Sequence, residues 1–402
     1  MSWPRLIVGV ANGLRPGGSA FRPLACTSSF SSYISFPRSH QWNKNVAEAE
    51  KLVGFPTSMM SFQNLMDNDV TSMTSHVKKL LGSGHPLLKT LKRLVYHDKN
   101  NLQVRGLMVL LICRAFSGQF VDVSDRHADT GILDRQRQLA EYLEMILSAQ
   151  AIHKSVLNLP NLHDGRDVQG KDDLLELEYG NKIAILGGDY LLAQACVGLA
   201  NLRNTYISEM ISVAIADFTQ SEFLGRRDIQ GRFIPDPSHI TQESWVIRNT
   251  LAYGNLMSQG CKSVMLLADM DPQSQELACR LGHNLSLALQ AYSELEPFLE
   301  ETISPREILD LSAAPVLFHL QEDPELLHEV QHPEDNNTEN LNTKKILNAI
   351  MAKRVGLDRT QDLINIYVQE ALEGIQKLPN GQNESGKSAK NLLEEFVAFL
   401  RA

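Results

Sequence analysis

The sequence predicts an all-α fold, and three observations carry the prediction. From Val46 onward apolar residues recur at steps of three and four. Period-two runs of β-branched residues are missing. Gly- and Pro-bearing breaks cut the chain into segments of helical length. Ser58–Leu81 is the first long segment, with Met59, Phe62, Leu65, Met66, Val70, Met73, Val77, Leu80 and Leu81 on its stripe. Its methionines, with Met60, fit core or interface packing rather than a cofactor box. Leu102–Phe116 is apolar nearly all round and is expected to be a central, enclosed helix. Leu133–Leu157 places Leu139, Leu143, Ile146 and Leu147 on one face. Ile183–Leu202, Thr205–Phe223, Ser244–Leu266, Pro272–Leu299, Thr343–Val355, Leu357–Leu378 and Asn391–Leu400 complete the series. Pro315 reads as a separator, and loops are expected near 158–175, 225–240 and 331–343.

The composition excludes several function classes. The 402 residues carry 38 Lys and Arg against 47 Asp and Glu, a net charge of −9. There is no basic stripe to displace counterions, so a nucleic-acid partner is not expected. The longest purely apolar run, Leu107 to Cys113, falls far short of the ~20 residues that span a bilayer, and no transmembrane segment is expected. Five cysteines (Cys26, Cys113, Cys196, Cys261, Cys279) show neither a CxxC pair nor a Cys/His ligand spacing, as expected of thiols in a reducing compartment.

The first 45 residues differ in kind. No Asp or Glu precedes Glu48, while Arg5, Arg15, Arg22, Arg38 and Lys44 alternate with many serines. Cationic, Ser-rich and acid-free is the composition of a mitochondrial transit peptide, which points to the matrix or the matrix side of the inner membrane. Residues 46–402 then form one helical domain.

Four segments carry a family resemblance, all in family order. Gly180-Asn181-Lys182-Ile-Ala-Ile-Leu-Gly-Gly-Asp189-Tyr-Leu-Leu resembles the "GNK-x-AIL-x-GD-x-LL" helix of trans-isoprenyl (polyprenyl) diphosphate synthases. Arg105 to Ala115 is similar to "RPLLVLLSARA", Leu143 to His153 to "IEMIHTASLVH", and Gly282 to Gln290 to "YGxxLGxAFQ". The resemblance implies an isoprenoid-synthase-type bundle of ten or more helices around a central cavity. It also implies a chemistry: an allylic diphosphate ionises and isopentenyl diphosphate adds to the cation, with Mg²⁺ stabilising the departing oxygens. In the family two facing helices each supply Asp-Asp-x-x-Asp, because carboxylates at i and i+4 share a face.

Here both clamps are altered. After His153 the first reads Lys154-Ser155-Val156-Leu157-Asn158; the second reads Ser293-Glu294-Leu295-Glu296-Pro297. Glu294 is the one carboxylate in register to touch a metal, Glu296 is expected on another side of the helix, and Pro297 to cap or kink it. The family's GKxxRP becomes Asn101 to Gly106, with Leu102 for the Lys and only Arg105 kept. Leu147 replaces the family histidine, and Ala252-Tyr253 the later Lys-Thr pair. Arg105 and Lys154 are left as candidate diphosphate donors, and no residue of this chain is assigned as catalytic or as a metal ligand. Asp172-Asp173-Leu-Leu-Glu176 has clamp spacing, but reads as a helix start with acids at the positive end of the dipole. His153 reads as a hydrogen-bonded core residue; His319, His328 and His332 lack a second ligand type.

The resemblance therefore implies a non-catalytic subunit of a heteromeric long-chain synthase of the kind that supplies the ubiquinone side chain. Its partner would be a DDxxD-bearing catalytic subunit that holds the Mg²⁺, in a heterotetramer. Helices 102–116, 183–200 and 256–268 are expected to preserve the interface, and small Ala149 suits a long-product cavity. The alternatives are a stand-alone synthase with a rebuilt Mg²⁺ site, and a non-enzymatic interaction protein on the same fold.

Overall fold

A computed structural model describes residues 40–54, 85, 87, 90, 104–116, 131–159, 171–227, 233–299, 309–331, 339–378 and 384–401. The segments 1–39, 55–84 and 332–338 lie outside them, and with them the Ser58–Leu81 helix and all of the expected transit peptide but residues 40–45, which open the first helix with Trp42 buried. The helices are α1 (His40–Val53), α2 (Val104–Phe116), α3 (Asp134–His153), α4 (Lys171–Asn201), α5 (Thr205–Ser221), α6 (Gln242–Asn249), α7 (Asn255–Leu267) and α8 (Pro272–Leu299). They continue with α9 (Ala314–Glu322), α10 (Pro324–Gln331), α11 (Glu339–Lys353), α12 (Val355–Gln376) and α13 (Glu384–Ala398). A π-helical turn, Thr250–Gly254, joins α6 to α7. Inside the 225–240 segment a two-rung antiparallel ladder pairs β1 (Arg226–Arg227) with β2 (Phe233–Ile234).

The apolar girth of α2 dictates the centre. All 13 of its residues are buried, and α1, α3, α7 and α13 enclose it. Trp42 of α1 meets Phe396 of α13 edge-on, with ring centroids 4.9 Å apart. The long α8 packs between α7 and α12, and α12 also meets α9. That contact is tight: a Cβ on Gly356 would lie 2.0 Å from the Pro315 carbonyl oxygen.

Several boundaries differ from the sequence expectation. The helix α3 stops at His153, not Leu157. The helix α4 begins at Lys171, so 171–175 is helix rather than loop, and α11 likewise begins inside the expected 331–343 loop. The helices α9 and α10 fill a region read as a separator. Pro315 lies in the first turn of α9, where a missing N–H costs nothing, so it starts a helix rather than breaking one.

One expectation about surfaces is corrected. Helix α2 is wholly enclosed and α7 nearly so, hence neither can offer an interface; of the three expected helices only α4 has an open face. Leu174–Asn201 within α4 is long and apolar enough to cross a membrane by length and composition, its most apolar 18 residues having a mean hydropathy of 1.6. Counting uninterrupted apolar runs does not pick it out, because Glu176, Glu178, Lys182 and Asp189 interrupt the stretch. Its inner side packs along α3. Gly188 makes that approach possible, since a Cβ there would sit 2.2 Å from His153 Nε2.

Candidate functional site

The first altered motif lies where α3 ends. Lys154 is the C-cap, its N–H donating to the Gln150 carbonyl, and 156–159 has no regular structure. Ser155 Oγ donates to Ile152 O at 2.6 Å, which closes the last turn. Asn181 of α4 fixes the residues beyond that turn. Its Oδ1 accepts the Leu157 N–H and its Nδ2 donates to Leu157 O, both at 2.7 Å. His85 Nε2 lies 3.1 Å from the same Oδ1, and Gly180 leaves room for the His85 ring. Lys154 and Asn158 therefore share no helical face, which an i, i+4 clamp requires. The departure from the family pattern is conformational as well as chemical, and the sequence reading, with its helix to Leu157, did not contain it.

Lys154 is engaged within the chain. Its Nζ donates to Tyr253 Oη at 2.9 Å and pairs with Glu222 Oε1 at 3.1 Å. It also stands 4.9 Å from the centroid of the Tyr253 ring. Burial opposes the charge, but Tyr253 and Glu222 outweigh it and raise the ammonium's pKa. Glu222 is held below the usual carboxylate range: burial works against this, and Lys154 and Arg227 prevail. Arg227 anchors β1 to the same residue, with Nε donating to Glu222 O at 2.8 Å. Neither Glu222, at the α5 C-cap, nor Tyr253, in the π turn, carries a sequence signal for this pairing.

Arg105 behaves differently. Its guanidinium lies 5.1 Å from the Tyr253 centroid, is 4% exposed, and leaves Nε and Nη2 without an acceptor among the described residues. Burial lowers its pKa to about 10. Beside it Glu144, fully buried, accepts the Gly106 N–H at 2.5 Å. Burial raises Glu144 to about 7, against the pull of Gly106 and Arg105. A carboxyl raised in the folded state stabilises most below its unfolded pKa of about 4.5 and loses that contribution as pH rises to about 7. Glu144→Gln should therefore flatten the pH dependence of stability between pH 4.5 and 7 by ~2 kcal/mol, read from denaturant midpoints across that range.

The second altered motif is equally occupied. Glu294 Oε2 accepts Trp245 Nε1–H at 2.8 Å and the Ala314 N–H at 2.7 Å, and Oε1 accepts Gln290 Nε2–H at 2.8 Å. Burial raises its pKa, while these donors and Arg248 oppose the shift. It ties α6 and the start of α9 to α8, which corrects the reading of Glu294 as the carboxylate in place for a metal. Ser293 Oγ is turned back to Gln290 O at 2.9 Å, and Glu296 is also buried. Pro297 does not end α8, which runs on to Leu299.

These residues do not fit Mg²⁺. The ion wants several oxygens, and here one motif offers an ammonium, while of the other's two carboxylates Glu294 is already filled and Glu296 is buried on another side of the helix. Among the described residues no group of three or more His, Cys, Asp or Glu could hold a metal. Asp172 and Asp173 fall in the first turn of α4, with their side chains outside the description, and Glu176 is exposed. His153 Nε2 lies 3.2 Å from both Asp189 Oδ1 and Ile185 O, binding α3 to α4. His319 is buried 3.9 Å from Asp323, with no metal-ligand set around it among the described residues. Ala149 is buried between α3 and α4.

The profile of the polyprenyl synthetase family matches residues 89–293. The human "All trans-polyprenyl-diphosphate synthase PDSS2" is 35% identical over 359 residues, covering 89% of this chain and 86% of its own. A "Probable hexaprenyl pyrophosphate synthase, mitochondrial" of Yarrowia lipolytica is 28% identical, covering 90% of each chain. Among solved structures, the heptaprenyl diphosphate synthase of Staphylococcus aureus superposes with a TM-score of 0.59 at 16% identity, covering 89% of this chain and 98% of that one. The fold is thus the all-α fold of the polyprenyl synthases, and this chain belongs to the polyprenyl synthetase family.

Proposed function

We infer that this chain is the non-catalytic subunit of a heteromeric long-chain trans-polyprenyl diphosphate synthase. With a DDxxD-bearing catalytic subunit, in a heterotetramer, it supports elongation of a farnesyl-type diphosphate by isopentenyl diphosphate for the ubiquinone side chain. One observation carries this reading. At both motif positions the side chains that remain are committed to other residues of this chain, Lys154 to Glu222 and Tyr253, and Glu294 to Trp245, Gln290 and Ala314. Mg²⁺ and bond breaking then belong to the partner. Of the two candidate donors, Arg105, whose Nε and Nη2 meet no acceptor among the described residues, is the one left to hold an anionic oxygen, whereas Lys154 is a structural pair.

The workplace is the mitochondrion, at the matrix or the matrix face of the inner membrane. The acid-free, Arg- and Ser-bearing first 45 residues support this, as does the mitochondrial naming of a relative. The test combines the full chain with a family member that keeps both Asp-rich motifs, adding Mg²⁺, farnesyl diphosphate and labelled isopentenyl diphosphate. The isolated chain should give no long-chain product, and the mixture at least tenfold more than the partner alone. Turnover by the isolated chain would assign it a rebuilt site. Absence of any effect on the partner would leave only an interaction protein.

A further inference from the structure

The acid-free N-terminal stretch and the packed domain overlap in composition but not in structure. Residues 1–39 hold Arg5, Arg15, Arg22 and Arg38, with neither Lys nor acid. Lys44, which composition groups with them, belongs to a different surface. Its Nζ lies 3.8 Å from Glu48 Oε1, one turn further along α1, and both side chains are exposed. An i, i+4 pair of this kind is a feature of a folded helix. Without Lys44 the last cation of leader-like composition is Arg38, two residues before α1 begins at His40.

Packing sets the same limit independently. Trp42, Val46, Ala49 and Val53 recur at helical steps, all are buried, and α1 lies on α2 and α13. The fully buried Trp42 ring meets Phe396 at 4.9 Å and Phe399 at 5.8 Å, both edge-on. Gln41 Nε2 donates to Asn45 Oδ1 at 2.8 Å, and Arg137 Nη2 of α3 donates to the Val53 carbonyl at 2.6 Å, so both ends of α1 are held. A cut beyond Trp42 would leave Phe396 and Phe399 facing an empty, indole-sized site, and truncations of buried aromatics are among the most damaging. A removable leader must therefore end before Gln41. A guanidinium is always charged and presents a rigid fork of donors, which suits recognition by an acidic protease cleft. Arg38 is the leader arginine next to that limit; the one before it, Arg22, lies 16 residues earlier.

We propose that the Ser39–His40 bond is a processing site, cut by a matrix endopeptidase that reads Arg38 two residues before the scissile bond, so that the mature protein begins with α1. Water adds across the amide: the carboxylate leaves on Ser39 with the leader, and the new amino group stays on His40. This rests on the mitochondrial reading above and ends the leader at 39, six residues before the boundary of composition.

The test imports the full, labelled chain into isolated, energised mitochondria and sequences the N-terminus of the protease-protected product. His40 is the expected first residue. Arg38→Gln, upstream of every described residue, should slow the cleavage at least tenfold. Trp42→Ala should be cut at the same bond, yet its mature product, released by lysis, should be digested at least threefold faster by added protease. A new N-terminus beyond Trp42 or near Arg22, an import product that stays uncut, or Arg38→Gln processed at the parental rate would overturn the proposal. So would a Trp42→Ala product as resistant as the parent. Failure of the mitochondrial reading looks different: the full chain would stay open to external protease with the membrane potential intact, and the proposal would fall with it.

Discussion

Replacing Lys154, Ser155 and Asn158 with aspartate should leave the isolated chain without turnover and make it less stable. The three carboxylates would restore the family's letters but not its geometry, because α3 ends at His153 and Asn181 holds Leu157 in a segment without regular structure. Carboxylates on such a segment do not converge as they do on a helix. Stability falls because a carboxylate at position 154 would face Glu222, in place of the ammonium that now pairs with Glu222 and Tyr253. Solvent reaches Glu222 and screens the pair, so the expected loss is about 2 kcal/mol. The sign with pH comes from Glu222, whose pKa is depressed in the fold. Its contribution is present above the ordinary carboxylate range and is lost as pH falls through the depressed value, so the gap between variant and parent should close in acid. Melting curves at neutral and acid pH check the stability. Mg²⁺-dependent product from the isolated variant would refute the geometric account.

Gly356→Ala should be the most damaging single methyl in the described structure, costing about 3 kcal/mol or more. Its Cβ would meet a backbone oxygen, Pro315 O, at 2.0 Å and His319 Cβ at 2.9 Å, so α9 and α12 must separate. Gly374→Ala, on the same helix, is the control. There a Cβ would meet nothing nearer than Leu281 at 3.7 Å, and the better helix former should give neutral or slightly higher stability, within about 1 kcal/mol. Chemical denaturation of both variants separates the steric cost from the propensity gain. Equal midpoints would contradict the tight crossing.

Much of the fold was legible in the sequence, because an apolar period of three to four survives wherever a helix has a buried face. The evenly apolar 102–116 segment reads as central, and α2 is. Legibility failed where signals are double-edged. Pro315 can break a helix or begin one, and the neighbouring chain decides which. The residues just beyond α3 are held by a side chain 24 residues from Leu157, Asn181, which no local window contains. At the site the loss of carboxylates could be read directly, but what replaced them could not. The Lys154–Glu222–Tyr253 cluster joins the ends of α3 and α5 to a π turn, and such partners share no spacing in the chain. Glu294 was in plain view, yet whether its oxygens are vacant depends on Trp245 and Ala314, which only the packing brings near.

The burial of α2 by the terminal helices α1 and α13 sets an order of events in biogenesis. During synthesis or membrane translocation, an evenly greasy rod emerges long before the last helix that shelters it. Until Phe396 and its neighbours arrive, that rod is a substrate for holding chaperones and a nucleus for aggregation. Premature stop codons before α13 would therefore act through solubility and turnover, with the altered motifs untouched.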